Sequence, residues 1–251
     1  MYKYSDLKNK TVLVSGANGD IGRAICQQYL EQHAVVYALH ESCADQLHAL
    51  KREHSEGQNL HIVHCNLADP EAVAALGSRL TSETGKVDVL VNNADVVNDN
   101  LFASMRFDDF SSVIDGNMLN TFRLTKEILR LLRSAENASV INVASIAAIV
   151  PAIGQSNYSA SNGALLAFTR TLAAELAPQG IRVNAVAPGM IESTNTKEIS
   201  GALVREMADA IPLQRIGRSS EVANTIVYLS SSAASYIVGQ TIIIDGGMVM
   251  R

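Results

Sequence analysis

The sequence predicts an α/β fold with one doubly wound, seven-stranded parallel sheet that is flanked by helices on both faces. Short β-branched runs alternate with helical segments along the whole chain, which is the pattern of βαβ units. Most strand candidates are nearly continuous apolar runs, as expected of strands that are covered on both faces. Neither a linker nor an internal repeat interrupts the alternation, so we expect a single domain over residues 1–251.

Each element has its own local signal. The strands are predicted where Val, Ile and Leu are concentrated, over 11–15, 34–39, 60–65, 87–92, 139–144, 181–187 and 240–245. The helices are predicted over 21–32, about 42–56, 70–84, 107–134, 156–177 and 219–231. Asp69 before Pro70 indicates an N-cap followed by proline at the first helical position. Residues 188–212 exceed a plain connector, so we expect a lid or a binding loop there.

The composition excludes several other classes of protein. The 251 residues carry 20 Lys+Arg against 25 Asp+Glu, a formal net charge of -5, so nucleic-acid binding through a basic surface is not expected. Hydrophobic residues make up 47% and charged residues 18%, which excludes a disordered chain. The longest apolar run, residues 140–150, is about half of a membrane span, and no signal peptide is apparent. We therefore expect a cytoplasmic protein with no membrane partner.

A glycine-rich turn follows the first strand. Residues 15–22, SGANGDIG, open the first helix, where free backbone N–H groups can hold the pyrophosphate of a dinucleotide. The position after the first strand of the alternating pattern favours this interpretation. A tight turn that uses glycine only for its geometry is the alternative.

Motifs along essentially the whole chain resemble those of the short-chain dehydrogenase/reductases. These motifs are Ser15-Gly16 with Gly22, Asn92-Asn93-Ala94, Ser145 thirteen residues before Tyr158, Pro188-Gly189 and Gly246-Gly247. The stretches INVASIAA, RTLAAELAPQGIRVNAVAPG and IPLQRIGRSSEVA are similar to the 3-oxoacyl-(acyl carrier protein) reductases in particular. The resemblance implies a single-domain Rossmann fold, an NADP or NAD cofactor and an acyl thioester substrate, with acyl carrier protein as one candidate carrier.

The resemblance also implies the catalytic residues. In the family a tyrosine donates a proton to the substrate carbonyl while the nicotinamide delivers hydride, a serine hydrogen-bonds the carbonyl, and a lysine assists. Tyr158 and Ser145 match the tyrosine and the serine, and Asn117 matches the asparagine that holds a water in the proton relay. Asn162 stands in place of the lysine, four residues after Tyr158, so both side chains are expected to face the cofactor. Asparagine carries no charge with which to lower the tyrosine pKa from about 10, and it cannot pass on a proton.

Two aspartates replace glycines of the family's nucleotide site. Asp20 stands at the middle glycine of TGxxxGIG, and Asp95 stands at the glycine of NNAG, beside the adenosine half. A carboxylate at roughly 5 Å from a phosphate charge costs on the order of 3 kcal/mol at an effective dielectric constant of about 20. We therefore expect weak cofactor binding. Asp20 could also cap the helix and occupy the N–H groups that would receive phosphate.

The predicted cofactor-binding residues follow several strands along the chain. They are Ser15, Gly16, Asn18, Asp20, Ile21, Gly22, Asn66, Asn93, Ala94, Pro188, Gly189, Ile191 and Ser193. Leu39, His40 and Glu41 after the second strand do not select between NAD and NADP. No metal site is predicted, because His61 and His64 would point to opposite faces of one strand. The three cysteines lack paired spacing and are expected to be reduced thiols.

These departures lead to three hypotheses. The first is a degenerate short-chain reductase, weakly active or inactive alone, which supports a catalytic homologue in a hetero-oligomer. The second is a self-sufficient NAD(P)H-dependent 3-oxoacyl-ACP reductase that uses Ser145 and Tyr158 without the lysine. The third is a binding protein without turnover. The predicted helices 107–134 and 156–177 carry apolar residues on more than one face, so we expect a dimer or a tetramer, of identical chains or mixed.

Overall fold

The computed structural model describes residues 3–192, 205–206 and 208–250. Its seven strands form one parallel sheet in the order β3-β2-β1-β4-β5-β6-β7. The strands are β1 Thr11–Val14, β2 Val35–His40, β3 Leu60–His64, β4 Val89–Asn92, β5 Ser139–Val143, β6 Arg182–Pro188 and β7 Thr241–Ile244. The predicted doubly wound α/β fold is confirmed.

Seven α-helices connect and cover the strands within the described residues. They are α1 Asp20–Glu31, α2 Asp45–Glu53, α3 Pro70–Glu83, α4 Phe107–Ile114, α5 Asn120–Arg133, α6 Ser156–Leu176 and α7 Ser219–Ser230. Asp69 caps α3 as predicted, because its Oδ1 accepts the N–H of Glu71 at 2.9 Å. Within the described part of the chain, no helix combines the length and the apolar character that crossing a bilayer requires.

The two faces of the sheet bury separate apolar layers. Ile25 and Tyr29 of α1 and Ile226 of α7 are fully buried on one face. Leu124 and Ile128 of α5 are fully buried on the other, together with residues of α3 and α6. Because helices cover both faces, all four residues of β1 are buried, as its apolar run predicts.

The direction in which successive strands are added to the sheet reverses between β1 and β4. β1 pairs with β2 on one side and with β4 on the other, and the chain crosses over between these two halves of the sheet. In open α/β sheets the crevice outside the carboxyl ends of the strands at such a switch point is where ligands bind. The turn after β1 and the loop after β4 therefore define the candidate site.

The predicted helix 107–134 is interrupted. A π-helical turn, Asp115–Leu119, separates α4 from α5. Inside this turn the side chain of Asn117 reaches the backbone of Val96, and a Cβ added at Gly116 would lie 2.7 Å from the Val96 side chain. The wider turn therefore packs against the loop after β4, and π-helical turns of this kind are frequent at functional sites.

Other boundaries also differ from the prediction. The second helix spans Asp45–Glu53 rather than 42–56, because the chain turns back at Gly57, where a Cβ would collide with the carbonyl of Lys51. The start of the predicted 188–212 loop is anchored, since the N–H of Glu192 donates to the carbonyl of Gly217 at 2.8 Å. Residues 193–204 and 207, including most of the predicted lid, lie outside the described residues.

Candidate active site

A cleft of about 790 Å³ lies at the carboxyl ends of β1, β4, β5 and β6. A smaller cavity of about 490 Å³ adjoins it on the side of β2 and β3. Gly16, Asn18 and Asp95 line both cavities. The pair has the position expected for the two halves of a dinucleotide site at the switch point.

The glycine turn keeps the backbone shape of a phosphate cradle. Gly16 has φ +60, and a Cβ added there would lie 2.7 Å from the Cα of Ala94. A Cβ added at Gly22 would collide with the carbonyl oxygen of Gly16. The N-cap of α1 is Gly19, not Asp20 as the capping hypothesis supposed, and Asp20 is the first residue of the helix. The backbone of the turn therefore fits a pyrophosphate at a helix N-terminus.

Hydrogen bonds join this turn to the loop after β4. The buried Ser15 hydroxyl accepts the N–H groups of Asn93 at 2.9 Å and of Ala94 at 3.1 Å. The Asn93 amide donates to the carbonyl oxygens of Ser15 at 3.2 Å and Gly16 at 3.0 Å. Ser15 thus lies beneath the turn, where it links two loops, and is not part of the cavity lining.

The structure brings most of the predicted cofactor residues together. Those that line one or both cavities are Gly16, Asn18, Asp20, Ile21, Gly22, Asn93, Ala94, Pro188, Gly189 and Ile191. Asn66 is not among the lining residues of either cavity. Its Oδ1 accepts the N–H of Ala68 at 2.8 Å in a local turn. Ser193 lies outside the described residues. The cofactor-binding role of each residue remains a prediction.

Ser145 and Tyr158 line the same cleft. Ser145 follows β5 and is the N-cap of a short 3₁₀ turn, where its Oγ accepts the N–H of Ala147 at 3.2 Å. Tyr158 projects from the first turn of α6. The hydroxyl of Ser145 acts to lower the pKa of Tyr158, although burial and Asp95 outweigh this effect.

Asp95 accepts a hydrogen bond from Tyr158. The phenol Oη lies 2.8 Å from Asp95 Oδ2. We expected Asp95 beside the adenosine half, and the structure instead places it where the two cavities meet, because the loop after β4 passes the amino end of α6. Burial first, and then the charge and the hydrogen bond of Asp95, raise the pKa of Tyr158 above its usual value.

The carboxyl group of Asp95 is itself perturbed. Desolvation raises its pKa to about 6, and the hydrogen bonds from Tyr158 and from the backbone of Val96 act in the opposite direction. The residue as a whole stays accessible to solvent in the cleft, while protein atoms surround its carboxyl group. The direction of the shift follows from the position of the group inside the cleft.

Asn162 does not belong to the lining of the cleft. It is buried, and its Nδ2 donates to the backbone carbonyl of Tyr158 at 3.0 Å, one helical turn earlier. A hydrogen bond from the Asn162 side chain also acts to lower the pKa of Tyr158, and the expectation that both side chains face the cofactor remains a prediction. Residue 162 is absent from the lining of both cavities.

Asn117 is also buried outside the cleft lining. Its Oδ1 accepts the N–H of Val96 at 2.7 Å, and its Nδ2 donates to the carbonyl of Val96 at 3.0 Å and to Ser161 Oγ at 3.1 Å. These bonds use the amide to hold the loop that carries Asp95. The water-holding role that the resemblance implies for Asn117 remains a prediction.

The charge of the larger cleft is negative. Its described lining includes neither lysine nor arginine. It includes four carboxylates, which are Asp20, Asp95, Asp99 and Glu192. Arg23 partly compensates one of them, since its Nη2 lies 3.5 Å from Asp20 Oδ1. The backbone of the turn fits a dinucleotide, but the charge of the surrounding side chains opposes a pyrophosphate.

Three polar residues that line the larger cleft, Asp99, Gln155 and Glu192, were not anticipated from the sequence. Gln155 donates to Asp99 at 2.9 Å, and Glu192 follows β6 on the opposite side of the cleft. Their position within a few residues of Tyr158, Asp95 and Pro188 was the available signal, because loops at the carboxyl ends of strands converge on one site. No group of three or more His, Cys, Asp or Glu residues is placed to hold a metal ion in the described part of the chain.

Comparisons with known proteins agree with this architecture. A family model described as Enoyl-(Acyl carrier protein) reductase matches residues 16–249. Nodulation protein G of Rhizobium meliloti is 39% identical over 245 residues, which cover 98% of this chain and 99% of that protein. A 3-oxoacyl-[acyl-carrier-protein] reductase FabG of Staphylococcus epidermidis is 37% identical over 243 residues, which cover 96% of this chain and 100% of that protein.

Solved structures give the same result. A short-chain dehydrogenase/reductase (glucose/ribitol dehydrogenase) from Brucella melitensis matches with a TM-score of 0.92 and 32% identity, covering 100% of both chains. The aldohexose dehydrogenase of Thermoplasma acidophilum, in ligand-free form, matches with a TM-score of 0.88 and 28% identity, covering 99% of this chain and 97% of that chain. The chain therefore belongs to the short-chain dehydrogenase/reductase family, and within it resembles the 3-oxoacyl-[acyl-carrier-protein] reductases.

Proposed function

We propose that this chain is a degenerate short-chain reductase, weakly active or inactive alone, which supports a catalytic homologue in a hetero-oligomer. The observation that carries this proposal is the lining of the larger cleft, which has four carboxylates and neither lysine nor arginine among its described residues. Fixed negative charge on the side chains around the helix N-terminus opposes the binding of an anionic cofactor. The substrate class, 3-oxoacyl thioesters, is inferred from the names of the reductases that the chain resembles.

The electrostatic effect on cofactor affinity is substantial. Each carboxylate at roughly 5 Å from a phosphate charge costs on the order of 3 kcal/mol at an effective dielectric constant of about 20. Arg23 beside Asp20, solvent in the cleft and salt all reduce this value. A loss of about tenfold to a hundredfold in affinity for NADP or NAD is a reasonable expectation after this reduction.

The catalytic group is weakened as well. A lysine would favour the ionised phenol through its charge, whereas Asn162 is neutral and acts on Tyr158 through hydrogen bonds alone. With its pKa raised by burial and by Asp95, Tyr158 is a poor proton donor. Both halves of the chemistry, cofactor binding and proton donation, are therefore impaired.

Exposed apolar side chains on α4, on α5 and on the π-helical turn between them support association with a second chain. Phe107 is 81% exposed, Phe122 is 49% exposed and Leu119 is 45% exposed. The ring of Phe122 lies 6.4 Å from that of Phe168 on α6, so this surface continues onto the neighbouring helix. Exposed aromatic side chains of this size are common at subunit interfaces, and we propose a dimer or a tetramer.

The alternative is a self-sufficient ketoreductase. It is favoured by the presence of Ser145 and Tyr158 in one cleft and by the retained backbone of the glycine turn. In that case the enzyme would use NAD(P)H and reduce a 3-oxoacyl thioester without the lysine.

Isothermal titration of the isolated protein with NADPH and NADH distinguishes the two functions. We expect no micromolar binding by the unchanged protein, and we expect binding with thioester reduction by the triple variant Asp20→Gly, Asp95→Gly, Asn162→Lys. An Asp108→Asn variant, which removes an exposed carboxylate outside the cleft lining, is the matched control and should behave like the unchanged protein.

Two results would overturn the proposal. Micromolar binding with turnover by the unchanged protein would establish the alternative. A triple variant that is folded by circular dichroism but neither binds nor reduces would mean that the impairment lies elsewhere in the chain.

The hetero-oligomer needs its own experiment. The chain is co-expressed with a reductase of the same organism that retains the Tyr-x-x-x-Lys motif, and the product is analysed by size exclusion with light scattering. We expect a mixed oligomer whose reductase activity exceeds that of the partner alone. Separate elution of the two chains, with unchanged activity, would contradict this part of the proposal.

A further inference from the structure

A ladder of hydrogen bonds ties the loop after β4 to the amino end of α6. Besides the bond between Asp95 and Tyr158, three more contacts follow in antiparallel order along the two segments. Asn157 Nδ2 donates to the carbonyl of Asn98 at 2.8 Å, Gln155 Nε2 to Asp99 Oδ2 at 2.9 Å, and the N–H of Asn100 to the carbonyl of Gly154 at 2.8 Å. We call residues 95–100 the strap.

The strap is also held from behind. Asn117 binds both backbone groups of Val96, and Asn98 Nδ2 donates to Asp109 Oδ1 at 3.2 Å. These contacts hold the backbone that follows Asp95, and the bond from the N–H of Ala94 to Ser15 Oγ holds the backbone that precedes it. The position of Asp95 beside Tyr158 therefore does not depend on a single contact.

The tyrosine has one proton to donate. Its phenol O–H is a single donor, and an ionised carboxylate can only accept. A carbonyl oxygen beside Ser145 would be a second acceptor for the same proton. A hydrogen bond to a charged acceptor is roughly twice as strong as one between neutral groups, so the carboxylate of Asp95 wins this competition.

We propose that Asp95 is a positioning residue that holds the phenol proton of Tyr158 and directs it away from a carbonyl ligand bound beside Ser145. This inference rests on the proposed function only in taking the Ser145–Tyr158 cleft as the carbonyl site. It assigns to Asp95 an effect on the tyrosine that is separate from its effect on cofactor charge.

Protonation of Asp95 reverses the arrangement. A neutral carboxyl group has an O–H of its own and can donate to Tyr158 Oη, which frees the phenol proton for the ligand. Burial raises the pKa of Asp95 to about 6, so the change falls close to neutrality. The other titratable or charged groups of the two cavities, from every element around Asp95, are Asp20, His40, Glu41, Cys65, Asp99, Tyr158 and Glu192.

The test is a pH titration by NMR of protein with ¹³Cζ-labelled tyrosine, and it requires no cofactor. The Tyr158 resonance is assigned by its loss in Tyr158→Phe. We expect an inflection near pH 6 in the unchanged protein. The inflection should vanish in Asp95→Asn and in Asp95→Gly, and the pKa of Tyr158 should fall in both variants because a neighbouring negative charge is removed.

Two matched controls exclude other sources of the inflection. Asp99→Asn removes an equal charge from the same strap without touching Tyr158, and His40→Gln removes the imidazole that lines the smaller cavity. Both controls should keep the inflection. Its absence from the unchanged protein, its persistence in Asp95→Asn, or its loss in His40→Gln would each overturn the proposal.

Ligand binding provides a second readout. Acetoacetyl-N-acetylcysteamine serves as the carbonyl probe, and its affinity is measured near pH 7.5. We expect Asp95→Asn to bind about tenfold more tightly than the unchanged protein, because the phenol proton no longer faces a charged acceptor. Asp99→Asn should bind as the unchanged protein does. Equal affinity of Asp95→Asn and the unchanged protein would contradict the proposal.

The outcomes are independent of those for the proposed function. Micromolar cofactor binding with turnover would contradict the proposed function, but it would not change the expected pH titration of the Tyr158 resonance. Conversely, a pH titration of the Tyr158 resonance that does not depend on Asp95 would contradict the positioning role, and it would not bear on the expectation of weak cofactor binding.

Discussion

Asn117 forms two hydrogen bonds with the backbone of Val96: its Oδ1 accepts the Val96 N–H at 2.7 Å, and its Nδ2 donates to the Val96 carbonyl at 3.0 Å. The side chain is buried in the π-helical turn between α4 and α5. One residue of the strap is thereby joined to the helical layer. This bond couples the wider helical turn to the position of Asp95.

Asn117→Ala should destabilise the fold and loosen the strap. The substitution leaves both backbone groups of Val96 without their side-chain partner, which costs about 2 to 3 kcal/mol of unfolding free energy. Urea denaturation followed by circular dichroism measures the loss. Lys126→Ala on the exposed face of α5 is the control, and we expect a change within about 0.5 kcal/mol for it. A similar loss in both variants would argue against a specific role of the Asn117 bonds.

Asn142→Ala should destabilise the centre of the sheet. Asn142 of β5 accepts from Asn92 of β4 at 2.8 Å and donates to Thr169 of α6 at 2.8 Å, and all three residues are buried. Removing the amide leaves two buried polar groups without this partner, so we expect a loss of about 2 to 4 kcal/mol. Thermal and urea unfolding measure it, with the exposed Arg170→Ala of α6 as the control. Unchanged stability of Asn142→Ala would show that water or rearrangement replaces these bonds.

Asp95→Asn should stabilise the protein at neutral pH. The pKa of Asp95 is raised from 3.8 to about 6, so the folded state holds a proton that the unfolded state releases between these values. Its contribution to stability is complete below about pH 4 and is lost as the pH rises through about 6. Because Asp95 is accessible to solvent, we expect a gain of only about 1 kcal/mol for Asp95→Asn at about pH 7, and less at about pH 4.

Urea denaturation of the unchanged protein and the variant at both pH values measures this difference. A gain that is the same at both pH values would contradict the assignment of the effect to ionisation of Asp95.

Glu221→Gln should show the opposite pH dependence. Glu221 at the start of α7 pairs with Arg215 through bonds of 2.7 and 2.8 Å, and it accepts the N–H of Arg218 at 2.8 Å. These contacts lower its pKa from 4.5 to about 2, with the hydrogen bond from Arg215 as the largest cause. The stabilisation is present above about pH 4.5 and is lost as the pH falls through about 2.

Since the pair is largely exposed, we expect Glu221→Gln to lose no more than about 1 kcal/mol at about pH 7. The difference from the unchanged protein should shrink as the pH falls below about 4. Chemical denaturation across this range checks the prediction. A difference that grows on acidification would refute it.

The fold was largely predictable because its signals are local. β1 is an apolar run that is buried on both sides, and Asp69-Pro70 begins α3 as its residue types indicate. The π-helical turn was not predictable in the same way. It depends on the contact between Asn117 and Val96, which are 21 residues apart in the chain.

The candidate site was only partly predictable. The motifs indicated Ser145 and Tyr158, and these residues do line one cleft. The bond from Asn162 to the backbone carbonyl of Tyr158 was not apparent from the spacing, because a short amide can reach the helix backbone where a long lysine would extend outward. Asp99 and Glu192 carry no motif, and their membership of the cleft depends on how three loops meet.

By itself, the sequence determined the alternation of strands and helices, the glycine turn, and the absence of a lysine after Tyr158, because each depends on residues that are close along the chain. The tertiary structure decided the partner of Asp95. Asp95 and Tyr158 are 63 residues apart and belong to different loops, so no local pattern relates them. The parallel sheet brings the ends of β4 and β5 to one edge, and at that edge the position of the carboxylate relative to the phenol determines which acceptor receives the proton.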